Sequence, residues 1–385
     1  MNLNDYFSPV SLDKPEITYL NPENTLSRYI DIHTPDNPIQ NIDQYDIAII
    51  GVPESRGSIN KGTDKACDQV RKKLYQLTPP ASRQSIIDLG NIYRGNTLND
   101  TIYALRDVYE YINQHNLIAL FIGGGQHLVY SSYLLYTRLN KRMNFVTIDA
   151  KIDLEEPQDE INSENYLKTI IKEDKKNILF DFTNLGHQVF FNNTKEVDFL
   201  NKHLYESKRL GDLRNNLHEA EPYLRDANIL SIDSNAIRQS DCPANLRPSP
   251  NGFYGEEICQ IAKYAGMSNN MNAIWVNEIN PDFDINNQGA HLMAQALWYF
   301  IQGAEQKIYE NPLQSNNFKK FIVNFNVTNH EEIVFYKSSI TERWWVEVPS
   351  KNQKKLILAC SYKDYENACN NEIPERWLRF FQKIN

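Results

Sequence analysis

The run NFVTIDAKID occupies residues 144–153, and NILSIDSN occupies 228–235. Each is a short apolar segment of strand length that ends on an aspartate. In a parallel α/β sheet, ligands bind beyond the carboxyl ends of the strands, so such endings deliver carboxylates to a common edge. Five further runs have the same character: DIAIIGV (46–52), SIIDLG (85–90), LIALFIGG (117–124), NILFDFT (177–183) and AIWVNEI (273–279). Their Ile, Leu, Val and Phe content suits strands covered on both faces. Between them the apolar period lengthens to that of helices, around 64–77, 99–115, 127–140, 163–174, 254–265 and 288–306. Leu292, Ala296, Tyr299 and Phe300 fall on one stripe of the last helix. Strand–helix alternation predicts an α/β domain over 46–312, with a mainly parallel sheet and helices on both faces.

The flanking regions read differently. Residues 1–45 are rich in Pro, Asn and Asp without a sustained period, and are expected to form an irregular arm lying on the domain. Residues 313–385 carry the β-type segments KFIVNF, EIVFYKS, RWWVEV and LILACSY, then helical segments with Pro374 near the start of the last. This is a small C-terminal α+β extension. Trp344, Trp345 and Trp377 give it more large apolar side chains than so small a unit buries alone. They are expected to dock onto the α/β domain; the alternative is an exposed patch for a partner.

Composition excludes several classes. The chain has 49 acidic and 40 basic residues and a net charge of −9, which argues against nucleic acid or an anionic membrane as the main partner. No apolar run reaches the roughly 18 residues of a membrane helix, so no membrane insertion is expected. The start, MNLNDYFSPV, lacks the pattern of a secretory signal. Five scattered cysteines without CxxC spacing make a disulfide framework or zinc ribbon a poor reading, and a reducing, cytoplasmic location fits.

Five of the strands run on into polar residues. GVPESRGSINKGTDKAC comes after the first, GGGQHL after the third, Asp149-Ala150-Lys151-Ile152-Asp153 after the fourth, Asp233-Ser234-Asn235 after the sixth and Glu278-Ile279-Asn280-Pro281 after the seventh. Singly, these are a tight glycine turn or aspartates capping the next helix. Together and in this order, they resemble the ureohydrolase superfamily of arginase, agmatinase and formimidoylglutamase, closest to the formimidoylglutamase-like branch. RLGDLRNNL, EPYLRDANILSID and NGFYGEE strengthen the match to that branch.

The resemblance implies a three-layer αβα arginase-like fold. It also implies a site where two manganese ions are held by a His after the glycine turn, by Asp-x-His-x-Asp and by Asp-x-Asp. Carried over by position, the metal-equivalent residues are Gln126, Asp149, Lys151, Asp153, Asp233 and Asn235. Three of these, Gln126, Lys151 and Asn235, are not the family's ligands. His127 is one helical step from the ligand position and is expected to point elsewhere, into packing or a surface hydrogen bond. Lys151 has no lone pair while protonated and repels a divalent ion. Its ammonium is expected among Asp149, Asp233 and Asp153; the alternative is extension into solvent.

Dinuclear manganese is therefore not expected. The cofactor expectation is none, or a single divalent ion (Mg, Ca or Mn) held by Asp149, Asp153 and Asp233. Glu278 matches the family's substrate-side glutamate and, with His187, is a cleft candidate. Its alternative is a buried glutamate that holds the loop before Pro281. No feature pairs His187 with Cys242 as base and nucleophile. The functional expectation is a ureohydrolase-fold protein without turnover, kept as a binding or scaffold module for protein partners or for a small cationic amino-acid-like ligand. The alternative is a metal-dependent hydrolase of a formimidoyl or guanidino amino acid with an altered or mononuclear site. A small-molecule sensor is a third class. Oligomerisation is compatible with the family.

Overall fold

A computed structural model describes residues 1–11, 20–81, 84–157, 160–325, 332–350 and 355–385. Among the described residues, ten strands form the main sheet: β1 (Phe7–Ser8), β2 (Asp31–Ile32), β3 (Ile47–Gly51), β4 (Ile86–Ile92), β5 (Ile118–Ile122), β6 (Met143–Ile148), β7 (Leu179–His187), β8 (Glu206–Arg209), β9 (Ile229–Asp233) and β10 (Ala273–Asn277). Their order is β1-β4-β3-β5-β10-β9-β6-β7-β8, with β2 also on β4. All pairings are parallel except β1 with β4. This is the expected α/β architecture. The arm departs from expectation in one respect: it contributes β1 and β2, two-residue strands too short to show a period.

Among the described residues, nine α-helices of the domain flank the sheet: α1 (Ala66–Leu74), α2 (Leu98–Gln114), α3 (Tyr130–Leu139), α4 (Tyr166–Glu173), α5 (Thr194–Lys202), α6 (Leu210–Asn215), α7 (Glu221–Asp226), α8 (Gly255–Gly266) and α9 (Gln288–Glu305). Side chains alternate across a strand. On β10, Ala273 and Trp275 therefore enter the core under α2 to α5, with Leu105, Tyr109 and Leu167. Ile274 and Val276 enter the opposite core under α1 and α6 to α9, with Val70, Ile258 and Phe300. Trp275 stacks on Phe121 of β5, ring centroids 3.8 Å apart. Every residue of β3, β9 and β10 is buried, which is why these strands read as continuous apolar runs.

The C-terminal extension is an antiparallel sheet of β11 (Phe318–Asn324), β12 (Glu332–Ser338), β13 (Trp344–Val348) and β14 (Leu356–Cys360), in that order, followed by α10 (Tyr362–Cys369) and α11 (Glu375–Ile384). Trp344, Trp345 and Trp377 are all buried and present no exposed patch. Against expectation, the extension buries Trp344 on its own Phe321 and Tyr365 and stacks Trp377 on its own Phe381, and Trp345 is the ring that meets the α/β domain. Phe380 of α11 packs edge-on against Phe180 of β7. Arg225 lies 4.3 Å from the Trp345 ring.

The docking is also ionic. Buried Arg376 of α11 reaches Asp226 (3.0 Å), Asp181 (3.6 Å) and Glu206 (3.8 Å). Lys383 reaches Asp181 at 2.5 Å, and Arg343 reaches Glu221 at 3.1 Å. The backbone N–H of Ala359 on β14 donates to Asp226. Phe180, Asp181, Glu206 and Asp226 all lie at or before the amino ends of β7, β8 and β9. The extension therefore sits at the edge of the sheet opposite the strand ends that carry the polar loops.

Candidate functional site

Four neighbouring strands at the centre of the sheet, β5, β10, β9 and β6, end in Gln126, Glu278, Asp233 and Asp149 respectively. Sequence order is scrambled here, but spatial order puts these four side by side. The turn after β5 takes positive φ at Gly123 (+92°) and Gly124 (+74°), a conformation that L side chains rarely adopt. That turn brings the Gln126 backbone N–H to the Glu278 carboxylate at 2.9 Å.

Glu278 ties the loops together. Its carboxylate also accepts from the Ser58 hydroxyl at 2.7 Å, and its carbonyl accepts from Asn60 (2.7 Å) and Ser234 (2.6 Å). It is buried and itself has a φ of +60°. Burial is the main cause that pushes its carboxyl up to about 7, against the pull of the Ser58 and Gln126 hydrogen bonds. The geometry is that of the loop-holding glutamate, although the residue also faces the cleft. Substituting alanine leaves two buried donors unmet. Glu278→Ala is expected to lower the free energy of unfolding by about 2–4 kcal/mol, read from urea denaturation.

Asp149 and Asp233 sit in matching turns. Asp149 accepts from the Lys151 backbone N–H at 2.9 Å, and Asp233 accepts from that of Asn235 at 2.6 Å. The latter caps the short 3-10 turn Ser234–Ala236, so the capping reading holds for Asp233 at its own strand end. Asp149, Asp153 and Asp233 are buried. Burial and then the Asp149 and Asp233 carboxylates push Asp153 well above the usual range, and Asp153 hydrogen-bonds Asp149. Burial likewise raises Asp149 to about 6, partly offset by hydrogen bonds from the Lys151 backbone, Asp153 and Gln126. Asp233 is raised by burial, Asp149 and Glu278.

Lys151 corrects the sequence expectation. Its Nζ does not join the aspartates; it bonds Glu164 at 2.7 Å, on the wall of the cleft, and its side chain is 39% exposed. It does not extend freely into solvent either. The backbone N–H of Lys151 holds Asp149, and the Asn162 side chain shapes the turn that presents Glu164. A half-exposed pair avoids the full cost of desolvating the ammonium. Burial works against the charged form, but Glu164, Asp153 and Asp149 outweigh it and raise the Lys151 pKa.

These groups line a cleft of about 230 Å³ that also contains Asn60, Phe191, Asn245, Leu246, Arg247 and Ser249. Asp149, Lys151, Asp153, Asp233, Asn235 and Glu278 are all at its surface, and Gln126 adjoins it through Asp149. His187 is not brought to it, because β7 is one strand farther out. Burial lowers its pKa, and its surroundings are Lys208, Arg209 and Asp212. His127 is fully buried, with its ring against Gly57 and Gly125, the packing role expected.

Cys242 packs under Gly289, its thiol pushed up to about 12 by burial. Cys67, Cys259 and Cys360 are also buried, and Cys369 is exposed. Iodoacetamide on the native chain at pH 8 is expected to add one label, at Cys369, by mass spectrometry; rapid labelling of Cys242 would contradict this placement.

Ser58, Asn60, Glu164 and Arg247 were not singled out from the sequence. Ser58 and Asn60 lie within the GVPESRGSIN stretch, whose position after a strand is the signal that points to them.

The Arginase family sequence model matches residues 45–302, more than half of the chain. The chain belongs to the arginase family. Within the family, its similarity runs to formimidoylglutamases. That of Staphylococcus haemolyticus is 23% identical over 264 residues, covering 65% of this chain and 82% of the relative. That of Staphylococcus aureus strain MSSA476 is 22% identical over 272 residues, covering 66% and 86%. Among solved structures, formimidoylglutamase from Bacillus subtilis aligns with a TM-score of 0.66 at 19% identity, over 77% of this chain and 97% of that one. Trypanosoma cruzi formiminoglutamase with Mn²⁺ aligns with a TM-score of 0.64 at 17% identity, over 70% and 97%. At these identities the structures establish the arginase-like fold.

At the positions matched to the family's manganese ligands, three donors differ from the family's. Lys151 is a cation engaged with Glu164, and Gln126 and Asn235 offer amides where the family has His and Asp. Among the described residues, no group of three or more His, Cys, Asp and Glu side chains is arranged to hold a metal ion.

Proposed function

We propose that this arginase-family protein is catalytically silent and works as a binding module whose cleft retains the fold's acidic floor. The observation that carries the reading is Lys151, a cationic side chain at the centre of the family's Asp-x-His-x-Asp pattern and on the cleft wall. Two-metal activation of water requires two ions bridged over a shared carboxylate set. Three of the six positions here supply an ammonium or an amide instead. A second reading, a hydrolase with one Mg, Ca or Mn ion on Asp149, Asp153 and Asp233, is supported by the mutual repulsion of those buried carboxylates. It requires the three to converge beyond their present placement.

The relatives' names give the substrate to try first. Purified protein incubated with excess Mn²⁺ and N-formimidoylglutamate, and separately with arginine and agmatine, is expected to release neither formamide nor urea above the buffer rate. Steady release of either product would overturn the reading.

A further inference from the structure

Val189, Phe190 and Phe191 are consecutive and exposed by 54%, 63% and 44%, and Phe191 lines the cleft. A run of three exposed apolar residues is disfavoured unless it has a function. The run is also held firmly. Asn192 accepts from the Ile152 backbone N–H at 2.7 Å and donates to the carbonyls of Ala150 and Gln188, both at 2.8 Å. The lip is thus fastened to the loop that carries Asp149 and Asp153. Phe190 and Phe191 meet edge to face at 4.6 Å, and Leu246, 45% exposed, forms another part of the rim.

The floor is made of carboxyl groups. Asp149, Asp153, Asp233 and Glu278 are buried there, while the ammonium beside them, on Lys151, is engaged by Glu164. The Gln126 amide N–H donates to the Ser231 hydroxyl at 3.4 Å, and its oxygen is buried with no hydrogen-bond partner among the described residues. These buried carboxyls crowd and repel one another, so the complementary occupant is a donor with positive charge. The cleft, at about 230 Å³, falls below the roughly 300–1,000 Å³ of sites for whole drug-sized ligands. It suits one side chain.

We propose that the cleft and its aromatic lip form a docking socket for a protein partner, which inserts a single arginine or lysine side chain among the carboxylates and lays flanking apolar residues on Phe190, Phe191 and Leu246. This rests on the binding-module reading and specifies its partner. Buried aromatic contacts around one desolvated charge are the usual anatomy of an interface hot spot.

The test is selection of a phage-displayed heptapeptide library on the full chain, with the Phe190→Ser/Phe191→Ser variant as the counter-bait. Because both rings are exposed, that variant keeps its fold, checked by its melting temperature. Enriched peptides are expected to carry Arg or Lys beside an aromatic or aliphatic residue. Synthetic copies should lose at least about tenfold in affinity when that basic residue becomes Gln, on the double serine variant, and on Asp153→Asn. No enrichment, enrichment of peptides without a basic residue, or equal binding by free arginine amide that ignores the serine substitutions would each overturn the socket. Turnover measured on the same preparation separates the two claims. Product release would overturn catalytic silence whatever the peptides do, whereas absent binding with absent turnover overturns only the socket.

Discussion

Arg376→Ala in the full chain is expected to lower the free energy of unfolding by about 3–5 kcal/mol. Arg376 is buried among Asp181, Glu206 and Asp226, three carboxylates of the α/β domain, and it comes from the last helix of the extension. Removing the guanidinium takes away the partner these carboxylates share; Lys383 still reaches Asp181 and Lys208 still reaches Glu206. An exposed pair makes the control: Arg138→Ala, which breaks contacts to Asp107 and Glu110, should cost no more than about 1 kcal/mol. The comparison is read from denaturant midpoints. Equal effects would mean that apolar packing alone holds the extension. On the same grounds, deleting 313–385 is expected to yield an aggregating remainder, because it bares Phe180 and the acidic edge together.

The second large effect concerns the site. Gln126→His, Lys151→His and Asn235→Asp, introduced together, restore the family's six donor types on a backbone whose strand order already places them side by side. Manganese affinity is expected to rise by at least about 100-fold over the unmodified chain, since even residues that only orient metal ligands change affinity by 10–100-fold. Isothermal titration gives the value. No gain would mean that the positions were matched to the family wrongly, most directly at Gln126, where His127 is the neighbouring candidate.

The central strands were legible because they are buried on both faces, which leaves no choice but an apolar run. β8, ESKR at 206–209, was not legible. It is an edge strand whose polarity matches its partners, and Glu206 is buried where α11 brings Arg376 to it. α5 was missed although Asn193 and Glu196 form a capping box at its start, a signal present in the sequence.

At the site, the order of the polar strand ends was readable, since each lies within a few residues of its strand. The direction of Lys151 was not. Glu164 is thirteen residues away, in a turn shaped by Asn162, and no periodicity links the two. His187 was misplaced for a related reason: a strand end is visible in the sequence, but its distance from the cleft depends on sheet order. The aromatic lip was also hidden, because VFF reads as a core segment until the strand ends at His187 and leaves it outside.

Whether the unmodified cleft holds the metal pair decides between silence and turnover. Equilibrium dialysis of the purified full chain against Mn²⁺, followed by elemental analysis, counts the ions directly. Fewer than two ions are expected per chain at any Mn²⁺ concentration that saturates the triple variant. Two tightly bound ions in the unmodified protein would contradict a silent site.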